Sequence, residues 1–115
     1  EAPNVWSDGP IAAECGWGRT MEQIVATIEA QAAEASAVLA EITNLSCGRN
    51  GEAITVVRCA EDVIENAKEA RECYVKSVNR GKDSSHYLQS MSDDNERRLL
   101  PAMRNYAKLC REIYA

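Results

Sequence analysis

The stretch of sequence that decides the fold is TMEQIVATIEAQAAEASAVLAEITNLS, residues 20–46. Thr20 and Gln23 have the spacing of a capping box, which predicts that a helix begins at residue 21. Apolar side chains then recur every three or four residues, as on a helix with one face in a core; they are Met21, Ile24, Val25, Ile28, Ala32, Ala35, Val38, Leu39, Ile42 and Leu45. We therefore predict a helix over 21–46, about 38 Å long, whose partners must be comparably long. Its midsection is rich in alanine, which favours close helix approach.

Two further helices are indicated downstream. A second apolar stripe predicts a helix over 52–80 that stops at Gly81; it contains Val56, Ala60, Val63, Ala67, Ala70, Tyr74 and Val78. Residues 82–92 contain a short helix at best, and Ser92 offers a cap for a last helix beginning near 93. Pro101 lies inside that last pattern and predicts a kink or a restart. The apolar face of the last helix contains Leu99, Met103, Tyr106, Ala107, Cys110, Ile113 and Tyr114.

These patterns predict an all-α fold, a small disulfide-stabilised bundle of three long helices plus short helical segments. The length of 115 residues suits one domain. Within it we expect an N-terminal strap over 1–19, anchored by Trp6 and Trp17, and a bundle over 20–115.

The five cysteines lie at positions 15, 47, 59, 73 and 110 and form no C-x-x-C pair, which argues against zinc and thioredoxin-type sites. Their wide spacing favours long-range structural disulfides in an oxidising compartment, and hence a secreted protein. In an antiparallel bundle, Cys59 and Cys110 stand at similar heights, and Cys73 lies near the end where the strap with Cys15 enters. We expect Cys15–Cys73 and Cys59–Cys110 bridges, with Cys47 free or bonded to a second chain. The competing Cys47–Cys59 pair has an axial mismatch of about 10 Å unless the second helix starts late.

No catalytic constellation is visible in the sequence. His86 is the single histidine, and no nucleophile pattern stands beside it. The carboxylates follow helical outer faces and lack the spacing of a calcium loop. We therefore expect no enzyme activity, no cofactor and no metal.

Charge is unevenly distributed along the chain, whose net charge is -5. Residues 20–48 hold four acids and no base, whereas residues 95–115 hold five bases and two acids. Four of the bases form one predicted helical stripe, and they are the candidate partner-binding residues: Arg97, Arg104, Lys108 and Arg111. Two interpretations stay open: the stripe faces the acidic helices of its own bundle, or it docks an acidic protein or polyanion. The net negative charge argues against nucleic acid and anionic membranes as partners.

Two short motifs near the N-terminus resemble a known protein family. The sequence VWSDGP at 5–10, followed by CGWGRT at 15–20 and a long helix, resembles the small helical salivary proteins of mosquitoes, the family that includes anophensin and albicin. The resemblance implies a protein injected into a host during feeding. It also implies immune evasion by binding plasma proteins, through inhibition of the alternative complement pathway or of contact activation. It names no site residues in this chain.

The leading hypothesis from the sequence is accordingly a secreted, non-enzymatic inhibitor that occupies the surface of an extracellular protein, such as a complement convertase or a contact-system component. Two alternatives remain: a carrier of a small apolar ligand, and a bacterial periplasmic immunity or inhibitor protein.

Overall fold

A computed structural model describes residues 19–44 and 51–114, with residues 51–54 and 114 described by their backbone only. The expected strap over 1–19 lies outside these residues except for Arg19, as do Trp6, Trp17, Cys15 and Cys47. Every regular element in the described ranges is helical, so the all-α class is confirmed. The helices are α1 (Met21–Asn44), α2 (Gly51–Arg80), α3 (Ser85–Asp94) and α4 (Leu100–Tyr114), with a π-helical turn at Asn95–Leu99 joining α3 to α4.

The start of α1 is held by the predicted capping box. The backbone N–H of Gln23 donates to Thr20 Oγ1 at 3.1 Å, and the N–H of Thr20 donates to Gln23 Oε1 at 2.9 Å. Two of the backbone donors that a helix N-terminus leaves unpaired are thereby satisfied.

The end of α2 is set by Gly81, as predicted. Its φ of 64° is in the left-handed region, which glycine adopts without a Cβ penalty. The N–H groups of Gly81 and Lys82 donate to the carbonyls of Val78 and Ser77 at 3.2 and 2.8 Å. These two bonds form a Schellman motif, which turns the chain towards α3.

The third long helix differs from the prediction. The chain becomes helical at Ser85, about eight residues before the expected start near 93, and it stays helical through Pro101 to Tyr114. A π-turn at Asn95–Leu99 precedes Pro101, and the helix continues through the proline without the expected restart.

The helices enclose two apolar clusters, one at each end of the bundle. The lower cluster joins Ile24, Val25 and Ile28 of α1 to Ala67 and Ala70 of α2 and to Leu88 and Met91 of α3. The upper cluster joins α1 and α2 to α4; its members are Ala35, Val38, Ile42, Val56, Ala60, Val63, Leu99, Leu100, Met103, Tyr106, Ala107 and Cys110.

Some residues predicted for the core lie at its margin. Val78 is 53% exposed and Ile113 is 61% exposed, because both stand near the ends of their helices, beyond full cover by a neighbour. The alanines of α1 also divide: Ala35 is buried and Ala32 half-buried, whereas Ala30, Ala33, Ala37 and Ala40 face outward. Close helix approach therefore uses fewer of the alanines than the composition indicated.

Two leucines of α4 provide a matched test of the core. Leu100 is fully buried, and Leu109 is 42% exposed. We expect Leu100→Ala to lower the free energy of unfolding by about 2–5 kcal/mol, through lost burial and a residual cavity. Leu109→Ala should lower the free energy of unfolding much less. Urea unfolding followed by circular dichroism measures both, and equal costs would contradict the assignment of Leu100 to the core.

Candidate functional site

The predicted basic stripe divides into paired and unpaired residues. Arg104 donates to both carboxylate oxygens of Glu34 in α1, at 2.6 and 2.8 Å, and also to Glu96 at 3.0 Å. Arg111 binds Glu41 in the same two-pronged way, with its longer bond at 3.0 Å. The intramolecular interpretation therefore holds for Arg104 and Arg111.

Arg97 and Lys108 make no such pair. Both side chains are exposed, and neither makes an ion pair or hydrogen bond with any residue in 19–44 or 51–114. They are the two candidate partner-binding residues whose charge no described residue neutralises.

A third ion pair ties α1 to α2. Arg71 donates to both carboxylate oxygens of Glu29 at 3.0 and 2.7 Å, and its guanidinium lies 5.6 Å from the ring centre of Tyr74. Acids spaced along α1 therefore meet arginines of both neighbouring helices. Each pair is partly exposed, so we expect it to orient the helices more than to stabilise them.

These pairs shift the acidities of their carboxyls. The hydrogen bond donated by Arg104 lowers the pKa of Glu34 below its ordinary value and outweighs the opposing effect of burial. The hydrogen bond from Arg111 lowers the pKa of Glu41 in the same way. Asp94 also has a lowered pKa because Arg98, one turn later, donates to both its oxygens.

A buried polar layer, which the sequence analysis missed, separates the two apolar clusters. Gln31 of α1, Ser92 of α3 and Asn95 at the start of the π-turn are 6%, 4% and 0% exposed. Gln31 Nε2 donates to the carbonyl oxygen of Ser92 at 3.1 Å, and Asn95 Nδ2 donates to Gln31 Oε1 at 2.9 Å. Asn66 Nδ2 of α2 donates to Asn95 Oδ1 at 3.0 Å, so all three long helices join the layer.

The layer also reaches the surface. Gln31 Nε2 lies 3.3 Å from Glu96 Oε1, while the other oxygen of Glu96 accepts from Arg104. The one signal for this layer in the sequence was Gln31, a polar residue among the apolar positions of α1 at a spacing that faces the core.

An open groove runs between the first turns of α2 and the middle of α4. It has a volume of about 460 Å³, and its walls are Thr55, Val56, Ala102, Asn105, Tyr106 and Leu109. Leu109 and Ile113 expose large apolar surfaces one turn apart on α4, and Lys108 adjoins Leu109 in the sequence. Lys108 and Leu109 lie about 100° apart around α4, so the charge of Lys108 flanks this apolar surface.

The cysteines do not form the expected Cys59–Cys110 bridge. Cys59, Cys73 and Cys110 are free thiols, and Cys15, the expected partner of Cys73, lies outside the described residues. Val56 and Tyr106 line one groove and so stand at similar heights. Cys59 lies below Val56 and Cys110 above Tyr106, which separates the two cysteines by about 10 Å along the bundle, too far for a disulfide. The height assumed for Cys110 was too low because the third helix begins at Ser85.

His86 is exposed near the start of α3. Within 19–44 and 51–114, no three His, Cys, Asp or Glu side chains converge to hold a metal ion. None of the helices in these ranges combines the length and the apolar run that crossing a membrane requires.

The Arg104–Glu34 pair predicts a dependence of stability on acid. The Glu34 carboxyl has a lower pKa in the folded chain than its ordinary 4.5. The pair therefore contributes to folding stability above pH 4.5, and this contribution is lost as the pH falls through the pKa of the folded state. Glu34→Gln should reduce the free energy of unfolding at pH 7 by no more than about 1 kcal/mol, since the pair is screened by solvent. It should also flatten the decline of stability below pH 4.5.

The matched control is Glu61→Gln, because Glu61 is an exposed α2 carboxyl with no ion pair among the described residues. Urea midpoints across the acid range compare the two variants. A Glu61→Gln profile as flat as that of Glu34→Gln would contradict the assigned pair.

Thiol accessibility checks the placement of the cysteines. Cys110 is 2% exposed and Cys59 is half-buried, so we expect iodoacetamide to alkylate Cys59 well before Cys110 in the folded protein. Peptide mapping under non-reducing conditions gives the order. Recovery of a peptide pair joined through Cys59 and Cys110 would contradict the heights derived above.

Comparison with known proteins supplies no relative for this site: no family model, no curated protein and no solved structure matches the chain.

Proposed function

We propose that the chain is a secreted, non-enzymatic binding protein that inhibits a plasma defence cascade of a host, either the alternative complement pathway or contact activation. The observation that carries the binding role is the outer side of α4. There Leu109, which lines the open groove, is 42% exposed, and Ile113, one turn later, is 61% exposed. Lys108 adds a charge that no described residue neutralises.

This surface has the composition of a protein interface. Apolar side chains at the centre of an interface supply most of the affinity, while free charges at its rim accelerate association with a partner of opposite sign. We expect a partner face that is apolar at its centre and acidic at its edge, with about 800 Å² buried on each side. The choice of cascade rests on the resemblance of the N-terminal residues.

Two variants on α4 test this proposal. Leu109→Glu places a charge in the apolar centre, and Lys108→Glu reverses the free charge. We expect the first to weaken inhibition of complement-mediated lysis or contact activation at least tenfold, chiefly through faster dissociation. The second should slow association, and the difference from the unaltered chain should shrink at high salt.

The matched control is Val75→Glu on α2, because Val75 is 47% exposed and belongs to the opposite end of the bundle. It should leave inhibition unchanged. No inhibition of either cascade by the unaltered protein at micromolar concentration would exclude the proposed target class, and equal loss from all three variants would exclude α4 as the binding side.

The groove supports a second candidate function, the carriage of a small apolar ligand. Its volume of about 460 Å³ lies within the range of small-molecule sites, and four of its six lining residues are apolar or aromatic. A fluorescent apolar probe that binds the chain but not Ala102→Trp, which fills the groove, would favour the carrier. If the Ala102→Trp variant no longer binds the probe but still inhibits the cascade, ligand carriage and inhibition are separate activities.

If the protein is secreted, its cysteines meet an oxidising environment in which disulfides form. We propose that Cys73, a free thiol in the structure, forms the expected bridge with Cys15 when the secreted protein is oxidised, and that Cys47 remains free or links two chains. Non-reducing mass analysis of the secreted protein distinguishes these states, because a covalent dimer has twice the mass and loses half of it on reduction.

A further inference from the structure

The third long helix contains one residue more than its core pattern requires. Leu88 and Asn95 are buried seven residues apart, and Met103 and Cys110 are buried seven residues apart. Asn95 and Met103 are separated by eight. A straight α-helix that buried Asn95 would bring Ala102 rather than Met103 to the core, yet Ala102 is exposed in the wall of the groove.

The π-turn at Asn95–Leu99 is where the extra residue is accommodated. A π-turn closes its hydrogen bonds over five residues rather than four, so it takes up one residue without shifting the helix on either side. The N–H of Leu100 accordingly donates to the carbonyl of Asn95.

The polar layer makes hydrogen bonds to the chain where the π-turn begins. Gln31 Nε2 donates to the Ser92 carbonyl. That carbonyl and the carbonyl of Met91 both accept from the backbone N–H of Asn95. The Asn95 side chain then bonds both Gln31 and Asn66. Loss of the Gln31 amide alone would take one of two donors from the Ser92 carbonyl and leave the buried Asn95 Nδ2 without its acceptor.

The extra residue also decides which side chain faces α1. In a straight α-helix, Arg97 would lie one heptad before Arg104 and on the same side of the helix. With the extra residue, Glu96 takes that place and binds Arg104 at 3.0 Å, while Arg97 is exposed and unpaired among the described residues.

We infer that the polar layer of Gln31, Ser92, Asn95 and Asn66 is a register lock, which holds a one-residue skip in the third helix and thereby releases Arg97 to the outer surface. The lock is independent of the proposed function, since it rests on the packing of the chain alone. The lock selects the arrangement in which Met103 faces the core over the one in which Ala102 would face it.

Deletion of Arg97 tests the inference directly. The deletion restores seven-residue spacing between Asn95 and Met103, so we expect residues 95–99 to close into an α-helix while the chain stays folded with Arg104 still on Glu34. Deletion of Asn105, which is exposed within α4, is the matched control. It breaks the spacing between Met103 and Cys110 and should unfold α4. A deletion of Arg97 that unfolds the chain as readily as deletion of Asn105 would overturn the skip.

A double-mutant cycle tests the lock itself. Gln31→Met should raise the equilibrium constant for unfolding at least tenfold in the unaltered chain. In the chain lacking Arg97 the rise should be smaller, because the polar layer no longer has a widened turn to hold. Equal effects of Gln31→Met in both backgrounds would overturn the role of the polar layer, and amide exchange at residues 95–100 reports directly whether the π-turn has closed.

Discussion

The contact on which the rest of the structure depends is the one between Gln31 and the start of the π-turn. The Gln31 amide donates to the Ser92 carbonyl and accepts from the Asn95 side chain, between the two apolar clusters. Burying three polar side chains is costly unless each is hydrogen-bonded, so the bonds admit one axial alignment of α1 against the third helix. The apolar clusters above and below then pack in that alignment.

The ion pairs are consequences of this alignment rather than its cause. Once α4 is placed, Arg104 and Arg111 fall opposite Glu34 and Glu41, and Arg71 of α2 falls opposite Glu29. Each pair is partly exposed and contributes little stability by itself. Together they disfavour other arrangements, since a rotated α4 would leave Glu34 and Glu41 of α1 without their arginine partners. The outer side of α4 keeps the groove, its exposed apolar residues and the unpaired Lys108.

Individual residues show why prediction from the sequence succeeded or failed. The capping box at Thr20 and the glycine stop at Gly81 were predictable because each depends on a few neighbouring residues and on backbone geometry. The start of the third helix was missed because Ser85–Asp94 carries only Leu88 and Met91 as apolar anchors, and its burial comes from contact with distant parts of α1. The Cys59–Cys110 prediction failed for the same reason, since the height of Cys110 was measured from a helix start that tertiary packing moved.

The sequence by itself determined the all-helical class, the capped start of α1, the end of α2 and the uneven distribution of charge, because these follow from local hydrogen bonding, residue spacing and composition. Only the tertiary structure decided which arginines are neutralised, which alanines face outward and where one extra residue is absorbed in the third helix. Those outcomes depend on the relative height and rotation of helices that are far apart in the chain. Height and rotation are set by the buried polar layer, whose members are separated by as many as 64 residues and form no local pattern.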